Sequence, residues 1–419
     1  MLPAIAYHRG MRITALLLVL VSCGCASPHA DSPASWPPSV ERIATPALTA
    51  SGQPRLTVSS RGVLLSWIER DGDNASLKFA ERTDTGWTEP RLVASGRDWF
   101  VNWADVPSVL RLADGTLAAH WLQKSGPDTY AYDVRLSRST DEGRTWSPSV
   151  TPHHDGTKSE HGFASLFQMP GAGLGLVWLD GRDMKAGAHE KAGGAMTVRG
   201  AIFDESGRQM SESLVDPRVC ECCPTTAAVT AEGPIAAFRN RSDNEVRDIY
   251  VSRLENGKWT EAARVHEDGW TIPACPVNGP MLAARGRRVA IAWFTAAGDQ
   301  GRVFVAFSDD AGRTFRTPIR VDEAGSLGRV DVELMEDGSA VVSHIEFAEQ
   351  RAQFRARRIE HSGARSSALT IAGIAGSRTS GYPHIASHGN ELVFAWTESS
   401  VDVLQVRTAI GRFGSSSDR

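Results

Sequence analysis

The side chains of this chain with the most chemistry to offer stand in a few short stretches. Cys220-Glu221-Cys222-Cys223-Pro224 is followed further along by Ala274-Cys275-Pro276-Val277-Asn278-Gly279-Pro280, so four thiols precede two Pro-led segments. Two chemistries suit them. In an oxidising compartment they would pair as disulfides, with Cys275 joined to one of the cluster and no cofactor needed. As thiolates beside a histidine they would instead ligate a soft ion, Cu or Zn. Connectivity is not readable from spacing, so both readings stand.

A second group combines Asp105 beside Trp103, Glu160 beside His161, and the His153-His154-Asp155 run. Asp105 and Glu160 are candidates for paired acid/base work, in which the separation of two carboxyls selects the mechanism. Each is equally able to cap backbone N–H groups at the start of a strand. The histidines suit proton transfer, metal ligation or a solvated loop. Arg182, Arg241 and Arg247 suit a fork for a carboxylate, sulfate or phosphate, because guanidinium groups bind planar anions bidentately. Pairing with Asp180, Asp243 or Asp248 within their own loops is the alternative.

What must hold these residues is a repeated strand. Small or aliphatic residues lead to one anchor in Leu64-Leu65-Ser66-Trp67, Ala118-Ala119-His120-Trp121, Gly175-Leu176-Val177-Trp178, Ile235-Ala236-Ala237-Phe238, Ala290-Ile291-Ala292-Trp293, Val341-Val342-Ser343-His344 and Val393-Phe394-Ala395-Trp396. The anchors are 54, 57, 60, 55, 51 and 52 residues apart, and a period of that length signals repeated structural units. Each period carries short β-rich runs between Gly, Asp, Asn and Ser turns, with no 3.6-residue apolar period. The expectation is an all-β, single β-propeller of four-stranded antiparallel blades, seven favoured and six as the fallback.

Propeller topology sorts the loops. The connections between the second and third strands of a blade, and those from the fourth strand into the next blade, emerge on one face. Trp103, Asp105, Glu160, His161, the four cysteines, Asn278, Tyr382, Tyr130, Tyr132 and the three arginines all fall there. This loop face is the expected site.

Two turns carry a sharper signature: Ser139-Thr140-Asp141-Glu142-Gly143-Arg144-Thr145-Trp146 and Ser308-Asp309-Asp310-Ala311-Gly312-Arg313-Thr314-Phe315. The Asp carboxylate can accept backbone N–H bonds across the turn, Gly can supply a positive φ, and the aromatic can tuck between blades. Degenerate copies stand at Thr83-Asp84-Thr85-Gly86-Trp87 and Glu255-Asn256-Gly257-Lys258-Trp259. These turns resemble the Asp-boxes, or BNR repeats, of the sialidase (neuraminidase) superfamily, and with the weaker copies the resemblance runs from about residue 54 to 412. It implies a sialidase-like scaffold and an exported glycoside hydrolase acting on an anionic sugar, with Arg182, Arg241 and Arg247 on the anion and Asp105 or Glu160 as acid/base. That family is six-bladed, opens with Arg-Ile-Pro or Arg-Leu-Pro, and uses a Tyr–Glu nucleophile pair. Here Arg42-Ile43 is followed by Ala44, Arg55-Leu56 by Thr57, and seven repeats are present. The other function class is a non-catalytic envelope lipoprotein binding a metal ion, a glycan or a partner protein through the cysteine-bearing face.

The first residues read as an address. Arg9 and Arg12 precede the apolar Ile13 to Val21, and Leu20-Val21-Ser22-Cys23 resembles a bacterial lipobox, with lipidation at Cys23. A plain signal peptide cut elsewhere is the alternative. The expected organisation is residues 1–22 signal, 23–53 flexible tether, 54–412 propeller and 413–419 disordered tail. Gly24 after the cysteine favours the outer membrane, giving a periplasmic, lipid-anchored monomer. A net charge of −4 with interspersed signs offers no basic stripe for nucleic acid, leaving an anionic glycan or small anion as expected partner.

Overall fold

In a computed structural model, residue 36 and residues 39–184, 194–400 and 403–413 are described. They form seven antiparallel sheets arranged as the blades of one propeller. Blades 1 to 7 begin at residues 51, 108, 161, 226, 281, 326 and 384. In blade 2 the outer strand shrinks to a single antiparallel bridge, Leu136 to Val150. The expected seven blades are present.

Each anchor lies on the second strand of its blade and is buried: Trp67, Trp178, Trp293 and Trp396 are fully enclosed, and Phe238 and His344 nearly so. Apolar clusters form between adjacent blades; Trp178 packs with Leu122, Val134 and Leu136 of the blade before it. Stability therefore comes from blade-to-blade burial rather than from a central core. The strict turns behave as their chemistry requires. Asp141 Oδ1 accepts from Thr145 N at 2.9 Å and from Ser139 Oγ at 2.8 Å, and Asp310 repeats both bonds with Thr314 and Ser308. Gly143 has φ 77°, and a Cβ there would strike the Phe79 ring, so the residue must be glycine.

Two boundaries differ from the sequence expectation. Residues 39–43 are not tether: Ser39–Ile43 is the outer strand of blade 7, paired antiparallel with Val403–Arg412 from Ser39 with Arg412 to Ile43 with Thr408. A ring closes when the first stretch of chain joins the last blade, and the unpaired edge of residues 403–412 supplies the reason. Phe413 is likewise buried, against the apolar cluster of blade 7. The signal segment, Cys23 and residues 414–419 of the expected tail lie outside the described residues.

Candidate functional site

The innermost strands line an axial channel with two unlike ends. Towards the turns between the first and second strands of the blades it opens to about 620 Å³, lined from every blade, including Val58, Arg111, Gln168, Arg285 and Glu333. Towards the loop face it narrows to a cavity of about 50 Å³ of mixed lining, with Arg55, Asp105, Ser108 and His384 beside Phe163 and Met281. Above it Trp103 stacks on Tyr382, with ring centroids 6.0 Å apart, and Arg329 lies over Trp103 at 4.7 Å. Tyr382 is held by its hydroxyl, which donates to Val277 O at 2.7 Å. Trp103, expected to touch substrate, is thus part of a cover over the axis.

Asp105, Tyr132 and Glu160 meet around Gly162, where an added Cβ would collide with the Asp105 carboxylate and the Tyr132 ring. Tyr132 donates to Glu160 Oε1 at 2.6 Å, and Asp105 Oδ2 accepts from Phe163 N at 2.6 Å. Burial pushes the Asp105 carboxyl up to about 7 against that one backbone bond. Burial likewise raises Glu160 to about 7, opposed by the Tyr132 hydroxyl and reinforced by Asp105. The two expected acid/base residues therefore share one enclosure, each with its carboxyl raised by burial. Tyr132 was placed on the right face by topology, but its pairing with Glu160 links positions 28 apart in the chain and left no local signal.

The expected arginine fork is not what the loop face presents. Arg182 makes two bonds of 2.7 Å to Asp180 and one of 2.7 Å to Glu212. Arg241 is paired with Glu221 and Glu245, and Arg247 with the same two carboxylates. Guanidinium groups engaged by neighbouring carboxylates in this way have few donors left for a ligand anion.

The cysteines give the sharpest correction. No disulfide forms: Cys220, Cys222, Cys223 and Cys275 are all free. The Cys220 sulfur stands 3.3 Å from that of Cys223 and 3.9 Å from that of Cys222, far beyond the about 2.0 Å of an S–S bond. The sulfurs that gather are those of Cys220, Cys222 and Cys223; Cys275 is exposed beside them and helps to raise the Cys222 thiol. The loops are brought together by close packing, since a Cβ on Gly279 would overlap Pro224 O. Around the sulfurs stand N–H donors: Arg247 Nη1 to Cys220 Sγ at 3.1 Å and Asn278 N to Cys223 Sγ at 3.4 Å. Burial raises Cys220, but hydrogen bonds from Cys222 and Cys223 and the Arg247 charge outweigh it and hold this thiol well below its usual range. Cys222 is driven up by its neighbours Cys220, Cys223 and Cys275, and Cys223 chiefly by burial. Three close sulfurs, one of them with its thiol held low, are an arrangement a soft cation completes.

His161 does not reach towards the axis; its ring stacks on His153 with centroids 3.7 Å apart and 6° between planes. Asp133, Asp155 and Asp180 surround the pair.

No protein family matches the chain and no curated protein matches it either. Among solved structures it is similar to a protein of unknown function from Dyadobacter fermentans, with 13% identity, TM-score 0.52, and 89% of this chain and 99% of that one covered. It is similar also to the polysaccharide lyase Uly1, with 10% identity, TM-score 0.53 and coverage of 87% and 90%. A NanB sialidase mutant from Streptococcus pneumoniae aligns at 10% identity and TM-score 0.47 over 84% and 83%. At such identities the likeness is one of fold alone, and the class that the seven sheets define is the seven-bladed β-propeller.

Proposed function

We propose that this protein is a metal-binding propeller that takes one soft cation, Cu(I) or Zn(II), on the thiolates of Cys220, Cys222, Cys223 and Cys275, and that it does so in the cell envelope, anchored through a lipid on Cys23. The observation that carries the reading is the convergence of unbridged sulfurs 3.3 and 3.9 Å apart with N–H donors aimed at two of them. Thiolates sharing a zinc at about 2.3 Å stand about 3.8 Å from one another in a tetrahedron, so little movement is required. Donors to the sulfurs are the outer contacts that orient and tune metal thiolates. The test is metal uptake by the reduced, chelator-treated full chain. One equivalent of Cu(I) or Zn(II) bound, lost in Cys222→Ser and Cys223→Ser, supports the proposal. No uptake, or a Cys275 peptide cross-linked to the Cys220–Cys223 peptide in the unreduced protein, sinks it.

A second reading, hydrolysis of an anionic glycan, is favoured by one observation: Asp105 and Glu160 share one enclosure with Tyr132 and both titrate at about 7. Such a pair can supply acid and base at neutral pH. Release of sugar from acidic glycans that disappears in Glu160→Gln would support it; no turnover over a broad glycan panel would leave the pair a structural element.

A further inference from the structure

We infer that Asp133, His153 and His161 form a second cation site, separate from the cysteines, that takes a borderline divalent ion such as Zn(II) on two imidazole nitrogens and one carboxylate. Three buried atoms motivate it. His153 Nε2, His161 Nδ1 and Asp133 Oδ1 have no hydrogen-bond partner, although His161 is fully enclosed and His153 only 6% exposed. Unsatisfied buried polar atoms are costly, and here three of them face one point. The carboxylate oxygen lies 3.5 Å from His161 Nδ1 and 3.9 Å from His153 Nε2. Ligands about 2.1 Å from a tetrahedral ion stand about 3.4 Å apart, which these separations approach.

The surroundings suit a cation. Asp133 has no Lys or Arg ion partner among the described residues, only the two histidines. Behind the rings Asp155 Oδ2 lies 3.2 Å from His161 Nε2 and 3.5 Å from His153 Nδ1, so a single carboxylate backs both imidazoles. Neither His161 Nε2 nor Asp155 Oδ2 is hydrogen-bonded as the rings stand; once aligned, a carboxylate on the far nitrogen fixes the tautomer that leaves the near nitrogen free to ligate. The far side is a poorer seat, because Arg182 bonds Asp180 and stands 3.3 Å from Asp155, placing a guanidinium where an ion would go. The parallel stack also sets a condition. Lone pairs of stacked rings lie in parallel planes, so receiving an ion turns one ring out of the stack, and the same turn can align the 3.2 Å Asp155 contact. Asp133, whose side chain is 22% exposed, marks the approach from solvent. Three protein ligands leave a fourth position open, as in zinc sites that bind water or substrate rather than purely structural ones.

The test uses the full chain with Cys220, Cys222, Cys223 and Cys275 changed to Ser, so that failure of the thiolate reading does not touch it. Calorimetric titration with Zn(II) should find one equivalent bound. Asp133→Asn and His153→Ala should abolish it, and Asp155→Asn should weaken it about 10–100-fold. No Zn(II) bound by the Ser-substituted chain, or binding unchanged in Asp133→Asn, overturns the inference. Should any of these substitutions unfold the protein, the wild-type chain with alkylated thiols decides: Co(II) taken up with a nitrogen–oxygen ligand spectrum supports the site, and no uptake overturns it.

Discussion

The Arg247 guanidinium donates to the Cys220 sulfur across 3.1 Å while its remaining bonds go to Glu221 and Glu245 at 3.1 and 2.8 Å. The Cys220 sulfur and two carboxylates thus share one nearly buried cation, and Arg241 ties the same two carboxylates from the outer side. The guanidinium is held by the acids and in turn holds the sulfur. Metal ligation requires a deprotonated sulfur, and a thiol held low gives up its proton more readily when the ion arrives. In Arg247→Gln the cationic stabilisation is lost while burial remains, so the Cys220 thiol should rise. Alkylation of the native protein by iodoacetamide, followed by peptide across pH, should show the Cys220 midpoint moving up by about one unit or more. An unmoved midpoint would mean that the neighbouring thiols alone hold it down.

Asp105 gives a pH prediction whose sign can be worked out. Its folded pKa, about 7, lies above the about 3.9 of an unfolded Asp, so between these values the native state binds more protons than the unfolded state. This residue's contribution is therefore fully present below pH about 4 and lost as pH rises towards 7. Asp105→Asn keeps an acceptor for Phe163 N but removes the titration. The variant should gain on the wild type by up to about 1.4 kcal/mol per pH unit in that window, with a flat difference above it. Urea unfolding at a series of pH values measures the difference, and a constant offset between the two proteins would contradict the shifted carboxyl.

The fold was legible because it is periodic. An anchor every fifty to sixty residues, as at Trp121, Trp178 and Phe238, survives any uncertainty at a single position. The site was legible as a face and not as a set of contacts. Topology places Asp105, Glu160, the cysteines and the arginines at one end of the blades, but which side chains meet is decided by loop packing. Gly279 against Pro224 brings Cys275 to the cluster, and nothing local to either stretch announces that the sulfurs stop short of bonding. The expectation of export argued for disulfides from compartment alone. Asp133 escaped notice altogether: it sits at the start of a third strand beside Tyr132, where an alternating polar residue ordinarily faces water.

Trp178 tests the packing between blades. Its ring is fully enclosed among Leu122, Val134 and Leu136, and its indole N–H donates to Asp180 Oδ2 at 2.8 Å. Truncation in Trp178→Ala removes a large apolar surface and leaves a cavity, a loss of about 3–5 kcal/mol. It also frees Asp180, which then keeps only Arg182 and the nearby histidine as partners. Denaturant midpoints at fixed pH should register the full loss. A change below about 1 kcal/mol would show that this blade does not rely on its anchor.

Ring closure supplies the last prediction. Among the described residues, Ser39–Ile43 is the part of the blade 7 sheet that comes from the start of the chain, and it covers an edge that Val403–Arg412 would otherwise present to solvent. Its hold is more than backbone pairing: Arg42 lies 5.4 Å over the ring of Trp396, and Trp36 packs 6.4 Å from Phe413. A chain beginning at residue 36 should keep the melting temperature of the longer protein. One beginning at residue 44 gives up five register pairs and these ring contacts together, and at about 1 kcal/mol per net hydrogen bond the loss should reach several kcal/mol. The bared edge strand is also a template for pairing with a second molecule, so the shorter chain should elute as dimers and larger species on size exclusion. Identical melting curves and a monomeric elution for both truncations would show that blade 7 is complete without its first strand.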